Sequence, residues 1–147
     1  MPGIYVMKDG PLNVTSSASI TSDGVTILLT GPGASINFIG SSSAHLSAAT
    51  SGPTEGLVIA SGRSEPVVDS TVGGGAEMDI EGTVYLPTHN LSYGGNSESL
   101  LPSTYSLLIA KTIKFHGGST VVVRGDPAVS KVPTKTAISP GNIHLIR

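Results

Sequence analysis

The sequence predicts an all-β protein, wound as a right-handed parallel β-helix. Three observations lead there. The chain of 147 residues is poor in charge (12 %) and aromatics (4 %), yet holds 38 % hydrophobic residues and 19 glycines. Such a chain is too apolar for disorder, and its Val, Ile and Thr suit pleated, half-buried surfaces. Helical periodicity is nearly absent, because Gly, Pro or β-branched clusters interrupt every stretch of ten residues. Lastly, a short motif, x-Ile-x-(apolar or Ser)-x-Gly, recurs along the chain.

The elements follow in order. "GIYVM" from Gly3 opens the chain, and the turn "SDG" separates it from the branched apolar run "VTILLT", Val25 to Thr30. "GPG" precedes "SINFI", in which Ile36 and Phe38 alternate with polar neighbours. "SGP" precedes "GLVIA", ending at Ala60, and "GGG" at Gly73–Gly75 precedes "EMDI" and "TVYL". Pro87 reads as a break before a short second strand and the turn "YGGN". "LLIAKTIKF" and "TVVVRG" flank "HGG", and "NIHLIR" reads as a closing strand. The segment 127–140, with three prolines, reads as an irregular cap over the last coil. A single domain over 1–147 accommodates all of this.

The recurring motif appears as "SITSDG", "SINFIG", "EMDIEG" and "TIKFHG", at spacings of 16, 42 and 35 residues. Two alternate residues would face inward, and a glycine would turn the corner. Corners at one coil per 15 to 25 residues describe a solenoid, with two coils in the longest gap. A β-sandwich or jelly roll is the alternative, since it also has short strands and frequent turns. Small Ser, Thr, Asn and Gly at outward positions, and the scarcity of Asn-Gly or Asp-Gly hairpin loops, favour the solenoid.

The ordered series "GIYVMKDGPLNV", "GVTILLT", "ASINFIG", "EGLVIAS", "IEGTVYLPTHNLSYGGNS" and "LLIAKTIKFHGGSTVVV" resembles the C-terminal region of TadG-like proteins, a Flp/Tad pilus-assembly family of bacteria. The resemblance covers Gly3 to Gly125. It implies a secreted or cell-envelope protein, periplasmic, cell-surface or extracellular, cut from a longer membrane-anchored parent. It further implies a part in assembling or anchoring adhesive pili, with a protein of the envelope or pilus machinery as partner. Members often carry cysteines beside these strands, and this chain has none. No catalytic residue is carried over.

Charge and hydropathy exclude several classes. A net charge of −2 with eight scattered Lys and Arg leaves no basic patch for nucleic acid. The apolar runs are too short for a membrane helix, so this fragment is expected not to insert. Chemistry-bearing residues are few. Glu77, Asp79 and Glu81 alternate, which would put three carboxylates on one outward strand face, about 7 Å apart. They are the candidates for a Ca²⁺ site or for acid–base work on a polysaccharide, as hydrolase or lyase. A solvated strand face is the simpler reading of the same residues. His45, His89, His116 and His144 form no local metal motif. Arg63, Glu65 and Asp69 fall in a stretch read as one long loop, the candidate partner-binding site. No cofactor is expected. The function expected is a non-enzymatic structural or interaction module, with a carbohydrate-active enzyme or carbohydrate-binding adhesin module as alternatives.

Overall fold

The computed structural model describes residues 2–96, 98–99 and 105–122. It is all-β, and its strands stack in parallel as a solenoid of about four turns. In chain order the strands are β1 (Gly3–Lys8), β2 (Leu12–Val14), β3 (Ser19–Ser22), β4 (Val25–Thr30), β5 (Ile36–Phe38) and β6 (Ser43–Ser47). They continue as β7 (Leu57–Ser61), β8 (Val68–Val72), β9 (Glu77–Tyr93), β10 (Glu98–Ser99), β11 (Ser106–Phe115) and β12 (Thr120–Val121). Among the described residues every strand pair is parallel, which excludes the sandwich of antiparallel sheets.

Each turn crosses three faces. The first face stacks β1, β4, β7, the middle of β9 and the start of β11. The second stacks β2, β5, β8, the end of β9 and the end of β11. The third stacks β3, β6 and the start of β9. Alternation then sorts each strand into inward and outward residues. One inward column on the second face runs Val14, Phe38, Val72, Tyr93, Phe115. Phe38 and Val72 in its middle are fully enclosed, while Phe115 on the last described rung is 57 % exposed and stacks on Tyr93 at 5.5 Å. On the first face Ile27, Ile59 and Val84 fill the interior, and on the third Ala44, Met78 and Ile80 do. Burying a large apolar side chain in this way contributes about 1.5–3 kcal/mol.

The corner between the second and third faces explains the glycines. Gly40, Gly74, Gly95 and Gly117 stack there with φ of 78°, 77°, 70° and 69°. A Cβ on Gly74 would stand 2.7 Å from the Gly40 amide nitrogen, and one on Gly95 would stand 2.8 Å from that of Gly74. Both the left-handed conformation and the close approach of one rung to the next therefore require glycine. Ser16 occupies the same column on the first rung, with φ 61°.

Several expectations are corrected by the register. The recurring motif mixes two corners: Gly40 and Gly117 end the second face, whereas Gly24 and Gly82 precede the first. The longest gap between copies accordingly holds one coil plus one face, not two coils. Pro87 does not break the strand; β9 runs through it and turns the corner there with Thr88. The stretch from Ser61 to Gly75 is not one loop, because β8 lies within it. The proposed cap 127–140, the strand "NIHLIR" and His144 lie outside the described residues.

Candidate functional site

The three carboxylates of the third face point outward, as alternation requires: Glu77 is exposed, and Asp79 and Glu81 are partly buried. They serve different neighbours. Asp79 sits one rung above His45, with Oδ2 3.5 Å from Nδ1. Glu81 stands at the far end of the strand, where it lines an open cleft of about 770 Å³ together with Asp23, Ser47, Thr50, Thr54 and Pro2. Asp23 accepts a hydrogen bond from the Ser47 hydroxyl at 3.1 Å. The cleft exists because the third-to-first corner swells from two residues at Asp23–Gly24 to the nine residues 48–56 on the next rung. Its described lining contains no histidine, lysine, arginine or aromatic residue. Among the described residues no group of three or more His, Asp or Glu side chains is placed to hold a metal ion.

Arg63, Glu65 and Asp69 do not converge. Arg63 reaches to the next rung, donating from Nε to the Tyr85 hydroxyl at 2.5 Å with its guanidinium 5.8 Å from the ring centre. Glu65 reaches to the preceding rung, where Oε1 accepts from the Thr30 hydroxyl at 3.0 Å and Oε2 from the Gly31 amide at 2.8 Å. Asp69 is already in β8 and accepts from the Asn90 side-chain amide at 2.9 Å. The loop, residues 62–67, is thus fastened to both neighbouring rungs. Its residues are positioned from three directions, which one sequence without register does not reveal.

Outward polar ladders, whose pairing the sequence alone does not specify, run from rung to rung. Asp69, Asn90 and Thr112 form a chain, the Thr112 hydroxyl donating to Asn90 Oδ1 at 3.0 Å. Asn37 donates to Asn13 at 3.0 Å, and Ser43 to Ser19 at 2.9 Å. A shallow groove of about 400 Å³ runs beside the first of these ladders, lined by Asp69, Thr71, Asn90, Ser92, Thr112 and Lys114. The signal for it was the excess of Ser, Thr and Asn at outward positions; the rung-to-rung pairing was not readable.

The first face differs. Its outward column runs Val6, Leu28, Ala60, Tyr85, Ile109, without a charge. Val6 is 60 % and Ile109 38 % exposed, and Ile4 and Leu107 beside them are also open to solvent. The middle of the column is closed, Ala60 being buried and Tyr85 lying under Arg63, so the apolar exposure is at its two ends, and exposed apolar patches mark contact surfaces.

The most enclosed polar pair is Ser70 and His89, both in the interior at the start of the second face. Burial pushes the His89 pKa below its usual 6.5, so the ring is held neutral. Ser70 Oγ lies 2.8 Å from Nδ1, in a hydrogen bond whose direction the histidine tautomer sets, and accepts from the Ile36 amide at 3.2 Å. Both groups are sealed from solvent, so the pair is a core contact that no substrate reaches in this structure. Tyr93 is likewise enclosed, and its phenol is pushed up to about 12 by burial.

Comparison of the chain with protein-family models, with curated protein sequences and with solved structures gives no match. The class defined by the geometry is therefore that of a parallel β-solenoid.

Proposed function

We propose that the protein is a non-enzymatic scaffold whose rigid faces present contact surfaces to a protein partner. One observation carries this reading: the polar side chains on its surface are tied to one another from rung to rung, as in Asp69–Asn90–Thr112, and not gathered around a reacting atom. The apolar outward column with Val6 and Ile109, and the fastened loop with Arg63 and Glu65, are the surfaces offered. The narrower reading, an envelope module tied to Flp/Tad pilus assembly or adhesion, rests on the sequence resemblance. Site-specific photo-crosslinkers at Val6 and Arg63 in the native host test it: adducts with pilus-assembly proteins support it, and adducts confined to unrelated proteins overturn it.

A second reading, saccharide binding, is favoured by the groove lined with Asp69, Asn90, Ser92, Thr112 and Lys114, whose amide, hydroxyl and charged groups match sugar hydroxyls. Glycan-array binding that is lost in Asn90→Ala would establish it. Turnover of an envelope polysaccharide abolished by Asp23→Ala or Glu81→Ala would replace both readings with an enzyme.

A further inference from the structure

We infer that the groove on the second face selects an acidic saccharide, with the sugar carboxylate at Lys114 and neighbouring hydroxyls bridging Asp69 and Asn90; this rests on the saccharide reading above and names the class of sugar. The register lays the groove out as a grid. Asp69 and Thr71 stand on one rung, Asn90 and Ser92 on the next, and Thr112 and Lys114 on the one after. Rungs lie about 4.8 Å apart and alternate residues along a strand about 7 Å apart, so these outward polar groups tile a shallow surface at the scale of linked sugar rings.

Hydrogen-bond accounting gives what the grid still offers. Asn90 donates one amide hydrogen to Asp69 Oδ1 at 2.9 Å, and the Thr112 hydroxyl donates to Asn90 Oδ1 at 3.0 Å. Asp69 keeps its second carboxylate oxygen as an acceptor, and Asn90 keeps a second amide hydrogen to donate. An acceptor and a donor therefore stand on successive rungs. Adjacent sugar hydroxyls, each able to donate and accept, match that alternation. Ser92 is already engaged, its Oγ lying 3.0 Å from His116 Nε2. Lys114 differs from all of these: it lines the groove, and its ammonium pairs with no described residue. Asp69 is the one carboxylate in the described lining, and it stands two rungs and one column away, about 12 Å from backbone to backbone. That exceeds the screening length of about 8 Å in physiological salt, so Asp69 does not neutralise the lysine. A carboxylate placed there accepts charge-assisted hydrogen bonds from the ammonium, whereas a neutral sugar leaves the charge unused. Asp69 also sets the polarity, since it repels an acid group at its own corner and leaves the Lys114 end for the ligand's charge.

The test is binding to an array of oligosaccharides that each carry one terminal uronate, every one printed beside its methyl ester, which keeps the shape and removes the charge. The full chain is compared with its Lys114→Gln and Asn90→Ala variants, and circular dichroism checks that each is folded. Lys114 is exposed, so its replacement is expected to leave the fold intact. Expected is binding about tenfold tighter to the acid than to the ester, the scale of a hydrogen bond to a charged group. The gap should close in Lys114→Gln with ester binding unchanged, and Asn90→Ala should lose both ligands. Equal binding of acid and ester by the parent would overturn the acidic specificity and leave the saccharide reading standing. A preference that survives in Lys114→Gln would overturn the placement of the carboxylate. Binding of neither form by the folded parent would overturn the saccharide reading and this inference with it.

Discussion

Replacing Gly74 by alanine separates two demands that the corner column makes at once. The residue has φ 77°, and an alanine there pays the left-handed penalty of about 1–2 kcal/mol. Part of that is offset, by about 0.4–1 kcal/mol, because alanine restricts the unfolded chain. The second demand is spatial: the new Cβ would stand 2.7 Å from the Gly40 nitrogen and 3.0 Å from its oxygen. Those are backbone atoms of the rung beneath, held by strands on either side, so they cannot swing away as a side-chain tip would. Forcing them apart is an overpacking cost of about 1–3 kcal/mol. Gly52 is the control, with φ 97° and nothing within 4 Å of its Cβ position. Equilibrium urea unfolding is the assay. Gly52→Ala should lose about 1 kcal/mol or less, and Gly74→Ala about 2–4 kcal/mol. Equal losses in the two variants, within 0.5 kcal/mol or so, would refute the argument that rung-to-rung contact dictates glycine here.

Two further outcomes follow from the interior. Ser42 is enclosed with no hydrogen-bond partner for its hydroxyl among the described residues, and Ala76 fills the corresponding place one rung on, so Ser42→Ala should stabilise by about 1 kcal/mol in the same urea assay. Burial lowers the His89 pKa below 6.5, so an unfolded chain takes up a proton below that pH while the folded chain does not. Stability is complete above about pH 6.5 and falls as the pH drops from there toward the depressed folded value, with a slope from this residue of up to about 1.4 kcal/mol per pH unit. Urea midpoints between pH 7.5 and 5 should therefore fall less for His89→Gln than for the parent, and parallel curves would refute it.

The class of fold was legible because its physical basis is local. Alternation in "SINFI" and "EMDI" placed Ile36, Phe38, Met78 and Ile80 inside, and all four are buried. Strands with weak local signals were not legible: "SAHLS" and "VDSTV" hold few branched apolar residues, and become β6 and β8 because the strands beside them offer a parallel edge. Pro87 departs from the strand break its residue type predicts for a related reason. It sits at a bend between faces, and the strand passes through it. The site was less legible than the fold. Glu77, Asp79 and Glu81 were placed on one face correctly, but whether each meets a histidine, a cleft or solvent depends on which rung lies beside it. The same holds for Arg63 and Glu65, whose partners Tyr85 and Thr30 stand 22 and 35 residues away.

The unbroken run of β9 through three faces gives the molecule a central hoop. Among the described residues it is the one strand with neighbours on both sides along two faces, contacting β7 and β8 below and β11 above. Loss of an outer coil leaves the hoop still gripped from one side, whereas loss of the hoop would sever the two halves. Erosion by heat or protease should consequently begin at the tips and reach this girdle last, so the molecule shortens before it falls apart.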